Sequence, residues 1–249
     1  MSGAANITGT RTALAVVSSR YDPLNAKLQK RFSHGLLAQA SYTWSKSLES
    51  GSNSLPTAYT NTASNLLFFD PRLRGSVADF DILQILVLSG TWEIPGAKKP
   101  GTPAAWLLSG SQLGTLLQLN AGLSFTLPGC GSLVNPGNAT EYIKLSCFVA
   151  LASASRLGDA DRNVAHGPGL INWDASLFKS IPVTRLSESF RIQFRFEVFN
   201  ALNRTDFNPP TSTSNQLFTQ ALVPVASAGN LTSTATTSRQ LQFAIKVLW

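Results

Sequence analysis

The segment FRIQFRFEVFN, residues 190–200, constrains this chain more than any other. Phe190, Ile192, Phe194, Phe196 and Val198 recur at every second position, with Arg191, Gln193, Arg195 and Glu197 between them. A helix would scatter those charges around its whole circumference. A strand sorts the same residues into one apolar face and one strongly polar face. The two-residue period recurs along the chain. It predicts strands over residues 25–32, 36–45, 86–94, 111–120, 171–178 and 239–249 as well, so seven strands are clear. In the first of these, Ala26, Leu28 and Phe32 oppose Asn25, Lys27, Gln29 and Arg31. An eighth strand over residues 11–18 alternates poorly.

Composition narrows the class. Charged residues are only 13% and hydrophobic residues 43%, which excludes a chain too polar to fold. No apolar run approaches the roughly 18–20 residues of a membrane helix; the longest, 82–88, contains Gln84. Net charge is +7, but the basic residues are scattered and form no block, so no nucleic-acid partner is expected. The two cysteines, Cys130 and Cys147, cannot build a cysteine-cluster metal site. A bridge between them is expected, which implies an oxidising compartment; two free thiols are the alternative. The apolar run at 13–17 is too short for a signal peptide, so the chain is expected to be part of something longer.

Chemistry-bearing groups are sparse. His34 sits in a tight turn and His166 in a Gly/Pro loop, and neither has a serine or carboxylate at a motif spacing. Neither a catalytic triad nor a His-rich metal centre is expected, and no cofactor. Asp70, Arg72, Arg74, Asp79 and Asp81 read as residues that order a loop rather than bind calcium. The sequons at Asn6, Asn138, Asn203 and Asn230 read as chance matches in Asn/Thr-rich loops.

Two architectures yield strands with one apolar and one polar face. In a soluble sandwich the apolar face packs on a second sheet. In an outer-membrane barrel it meets lipid, and the polar face lines the lumen. Three features favour the barrel. Short connections at 33–35, 95–110 and 181–187 alternate with long ones at 47–80, 121–168 and 203–238, as outer-membrane barrels do. Trp44 and Trp173 fall near one end of their strands, Trp92 and Trp249 near the other, all on apolar faces, which predicts two interfacial girdles. Trp106 is assigned to a turn. The last strand places Leu241, Phe243, Ile245, Val247 and Trp249 at every second position and closes on an aromatic residue. That pattern reads as the signal recognised by the barrel-assembly machinery.

Several stretches together resemble one family. They are NAKLQKRFSHGLLAQASYTWSKSLES, FDPRLRGSVADFDI with LVLSGTWEIPG, GPGLINWDASLFKSIPV, FRIQFRFEVFNALNRTDFNPP and RQLQFAIKVLW. In this order they resemble the C-terminal barrel of acidobacterial-type TonB-dependent receptor-like proteins that carry a carboxypeptidase-regulatory-like domain. The resemblance implies an all-β, antiparallel, up-and-down transmembrane barrel segment in the bacterial outer membrane, spanning 1–249 with 1–22 as a poorly defined lead-in. It implies a receptor or transporter for a nutrient ligand that the sequence does not identify, with no covalent chemistry. The partners implied are outer-membrane lipid, the barrel-assembly machinery and the TonB complex, the last reached only through N-terminal parts. This sequence carries no TonB box or plug, and closed transporters of the kind use about 22 strands, far more than seven or eight. The charged ladder Lys27, Arg31, Arg191, Gln193, Arg195 and Glu197 is expected to face the lumen as a hydrated wall; contact with a plug or an anionic ligand is the alternative. A surface-exposed adhesive barrel, binding carbohydrate or protein through its loops, is the competing function.

Overall fold

In a computed structural model the chain is described over residues 19–49, 76–78, 81–96, 102–122, 126–127, 130–150, 167–185, 187, 189–210, 217–219 and 221–249. The doubtful strand at 11–18 and Asp70, Arg72, Arg74, Asp79, His166 and Asn6 lie outside these residues. The elements are β1 (Ser19–Ser33), β2 (Leu36–Glu49), β3 (Ser76–Val77), β4 (Gln84–Glu93), α1 (Pro103–Leu108), β5 (Ser111–Ala121), β6 (Thr126–Leu127), β7 (Gly131–Ser132), β8 (Leu170–Pro182), β9 (Arg191–Phe199) and β10 (Gln240–Leu248). Seven long strands form one antiparallel sheet in the order β1-β2-β4-β5-β8-β9-β10, with β3 added to β2, and β6 and β7 make a separate small ribbon. Each long strand pairs with its sequence neighbours among the long strands. This is the up-and-down order expected of an outer-membrane barrel segment, and the sheet is not closed.

Register follows polarity. Leu36, Trp92, Leu113, Leu177, Phe196 and Phe243 lie side by side across six strands. One residue further along, Leu37, Thr91, Gly114, Ser176, Glu197 and Gln242 form the matching row of the opposite face. A slip of one residue anywhere would carry charge onto the greasy side, so the alternation fixes the pairing. The strands also slide progressively. The row through Leu36, at the foot of β2, meets Leu177, while β8 continues to Pro182. Such stagger is the geometry of a tilted barrel wall. Strand lengths of 9 to 15 residues meet or exceed the roughly 9–11 that a tilted membrane strand needs.

Among the described residues the sheet has no packed core. Its apolar face stays open, with Leu28 75%, Phe243 76% and Ile245 68% exposed. The most buried large side chain is Leu133, in the connection between β5 and β8, clustered with Val134, Tyr142 and Ile143. Among the described residues no protein layer covers the apolar face, so the sandwich reading has no second sheet to rest on.

Several sequence readings are corrected. β1 begins at Ser19, so residues 19–22 belong to the sheet and not to a lead-in. A register shift between Lys30 and Ser33 ends the simple alternation there, so Arg31 and Phe32 do not take opposite faces by parity alone. The first turn is only His34-Gly35, both at positive φ (53° and 76°), a two-residue hairpin turn whose hand suits the strand twist. Trp106 lies in helix α1, not in a turn. β8 runs on past residue 178 and places Lys179 on the apolar face beside Phe194.

Phe194 stands near the middle of β9, opposite Lys179 and Ile245 on the apolar face. Arg195 stands on the other face, 3.6 Å from Glu197 and half exposed. Phe194→Arg is expected to destabilise the assembled protein by roughly 1–2 kcal/mol, between the midplane and interfacial costs of Arg on a lipid face, because the neighbouring Lys179 already lies toward the short-connection end. Arg195→Gln should cost less than about 1 kcal/mol, because a half-exposed ion pair contributes little. Denaturant titration in lipid vesicles measures both; a Phe194→Arg protein as stable as Arg195→Gln would contradict the assignment of faces.

Candidate functional site

The polar face is the concave one. Gln29 on β1, Gln39 on β2, Ser89 on β4, Asp174 on β8 and Glu197 and Phe199 on β9 line one open concavity of about 460 Å³. Residues on strands as far apart as β1 and β9, the first and sixth of the sheet, share this hollow, so the sheet curls around its polar side and presents its apolar side outward. That is the handedness of a barrel with a wet lumen and a greasy exterior.

The charged ladder is divided by this geometry. Arg191, Gln193, Arg195 and Glu197 share the polar face of β9, while Lys27 lies on β1 at the opposite edge of the sheet, with Arg31 in the irregular stretch beyond it. Within the β9 group Arg195 pairs with Glu197 and stacks its guanidinium 4.6 Å from the ring centre of Phe178 on β8. These contacts pair Arg195 within the wall. Asp174, which sequence reasoning did not single out, accepts the Asn200 backbone N–H at 2.9 Å and so ties the top of β9 to β8.

A folded cap occupies the long-loop end. Asn200 ends β9 at positive φ (49°), a conformation asparagine tolerates. Its buried side-chain amide donates to the carbonyls of Arg204 and Thr237, 2.8 Å each, and its carbonyl accepts the Arg204 N–H. This fixes the turn that carries Arg204 and Asp206. Asp206 Oδ1 lies 3.1 Å from Arg204 Nε and accepts the Ile171 N–H at 3.3 Å, while Oδ2 is buried without a partner. Ile143 and Leu231 donate backbone N–H groups to Gly229 and Ala139, joining the β5–β8 connection to the β9–β10 connection. A side chain at Gly229 (φ 76°) would place its Cβ 2.7 Å from the Ile143 carbonyl oxygen, so glycine is required. Cys130 and Cys147 are bridged, with Cα atoms 5.7 Å apart. A cavity of about 230 Å³ opens between these loops, lined by Pro136, Tyr142, Gly167, Arg204, Asp206 and Leu231 among others. Burial pushes the Tyr142 hydroxyl up to about 12, so it is neutral at physiological pH. The cap escaped sequence reasoning because its contacts join distant, individually polar loops. Its local traces were the expected Cys130–Cys147 bridge and the RTDF run at 204–207.

The remaining predicted residues are placed as follows. Trp92 is one residue from the end of β4 and Trp249 directly follows β10, both at the short-connection end. Trp44 and Trp173 lie toward the long-loop end, and Trp173 donates its indole N–H to Thr115 Oγ1 at 2.8 Å, satisfying two polar groups on the apolar face together. Leu241, Phe243, Ile245 and Val247 stand exposed on the edge strand β10, with Phe243 stacked at 4.7 Å on Phe196. Asp81 accepts the Ser47 N–H at 2.7 Å and orders the entry to β4. His34 stays at the hairpin turn beside Ser33 Oγ. Among the described residues no group of three or more potential metal ligands occurs.

The cap and the wall are separable in stability. Replacing Cys130 and Cys147 by serine should lower cap stability by about 3 kcal/mol on the chain-entropy account of a closed loop of this size. The sheet should keep its amide protection. Hydrogen exchange reads both regions at once, and equal loss of protection in β8–β10 would show that the cap is not an independent unit.

No curated protein and no solved structure matches the chain. The family described as outer membrane beta barrel domain matches residues 4–242, nearly the whole sequence. With a curled antiparallel sheet that is polar within and apolar without, the chain belongs to the outer membrane beta barrel domain family and is a protein of the bacterial outer membrane.

Proposed function

We propose that the chain is the C-terminal barrel segment of a TonB-dependent receptor or transporter, which takes up a nutrient ligand without covalent chemistry. The observation that carries this reading is the cap. A barrel needed only as a scaffold has no use for an outer loop layer with its own apolar cluster, disulfide and cavity. Arg204 borders that cavity with a half-exposed guanidinium beside the buried Asp206, which suits a ligand bearing polar acceptor groups. The curled polar wall beneath offers Gln29, Gln39, Asp174 and Glu197 along an inward path. The resemblance of the strand motifs supplies the link to TonB, whose contact would lie in N-terminal parts. Exposed alternate side chains on β10, ending at Trp249, fit recognition by the barrel-assembly machinery.

A surface adhesin would use the same cap, and energised uptake separates the two. Cells with and without the gene are offered labelled ferric siderophores, cobalamin and oligosaccharides, with and without a protonophore. The transporter reading expects at least one compound whose uptake needs both the gene and the proton-motive force, while surface binding survives the protonophore. Unchanged uptake of every compound, with lost adherence to glycan-coated beads, would replace it by the adhesive reading.

A further inference from the structure

The connection between β4 and β5 holds the one α-helix among the described residues, and its exposure pattern is the reverse of a soluble surface helix. In α1, Ala105 is buried, whereas Trp106 is 65% and Leu107 62% exposed. Thr102 caps its start by accepting the Ala105 N–H at 3.2 Å, and Pro103 sits in the first turn. Six residues do not sustain a helix alone. The far end is held by the wall. Lys179 Nζ donates to the carbonyl oxygens of Trp106, Leu107 (3.2 Å) and Ser109, and lies 5.5 Å from the Trp106 ring centre. Ser111 Oγ donates to the Leu107 carbonyl at 2.8 Å.

Lys179 gives the helix its position. It occupies an apolar-face site of β8, beside Phe194 and two residues beyond Leu177. A bare ammonium in hydrocarbon is costly, and lysines near strand or helix ends reach for the interface. Here the ammonium spends its donors on the carbonyls that end α1. The helix is thereby pinned on the outward, apolar side of the sheet, at the short-connection end where Trp92 also lies. The connection 95–110 carries Lys98 and Lys99 and no acidic residue, a charge suited to phosphate headgroups.

We infer that α1 is a membrane-interface anchor, which lays Trp106 and Leu107 into the headgroup region of the phospholipid leaflet at the short-connection end, with Lys179 as its pin to the barrel wall. The inference rests on the reading that the apolar face of the sheet meets lipid, and it assigns the surface continuous with that face to phospholipid. Tryptophan is favoured at this depth because its ring is apolar and its N–H is polar.

The test uses the full chain in vesicles of phosphatidylcholine and phosphatidylglycerol, brominated either near the headgroup or deep in the acyl chain. One variant keeps only Trp106, with Trp44, Trp92, Trp173 and Trp249 changed to Phe; a companion keeps only Trp92. The expected result is Trp106 fluorescence quenched more by shallow than by deep bromines, and quenching that falls severalfold when Lys179→Met is added. Trp92 quenched with Trp106 untouched by either lipid would place α1 in water and overturn the anchor while the barrel reading stands. Stronger quenching of Trp106 by deep bromines would overturn the interfacial depth. Quenching of neither tryptophan would remove the lipid-facing wall itself, and the anchor with it.

Discussion

A backbone that crosses hydrocarbon has no water to satisfy its amides, so every N–H and C=O must find a partner in a neighbouring strand. Seven long strands that run up and down, each bonded to its sequence neighbours, meet that demand through the body of the sheet. The side-chain pattern follows from it. With pairing fixed by amides, polarity can vary only across the sheet, and the two-residue period places lipid-compatible groups on one side. β1 and β10 each leave one edge unpaired among the described residues, so the demand is unmet only at the two margins of the sheet.

The same demand inverts the usual placement of the core. In a soluble domain the apolar face of a sheet would be the most buried surface. Here the buried cluster of Leu133, Val134, Tyr142 and Ile143 belongs to the cap, and the sheet keeps Leu28, Phe243 and Ile245 exposed. Lipid replaces protein packing for the wall, while the water-exposed cap must supply its own core and a disulfide. Hydrogen bonds from Asn200 and the contacts of Asp206 join the two regions at the tops of β8 and β9.

What the sequence revealed tracks where the hydrocarbon lies. Strand β9 was fully legible because its apolar residues recur without a break from Ile192 to Val198. β1 was read from Asn25 although it begins at Ser19, because Arg20 and Asp22 share parity with Leu24. Those two residues pair with Leu48 and Lys46, beyond Trp44, where the face no longer needs to be apolar. Lys30 and Lys179 break the alternation near the opposite end for the same reason. The α1 helix is too short to show a 3.6-residue period. Of the cap only the Cys130–Cys147 bridge was legible, because its other contacts join loops more than 80 residues apart, such as Ile143 with Gly229, which no local pattern encodes.

The central claim is that the apolar face meets lipid and not protein. A single cysteine at position 194 tests it, since Cys130 and Cys147 are bridged and leave no competing thiol. The assembled protein in its membrane is treated with a lipid-soluble maleimide and, separately, with a charged water-soluble one. The account predicts rapid reaction with the first and protection from the second. Equal protection from both would mean that position 194 is buried against protein, and the barrel wall described here would not stand.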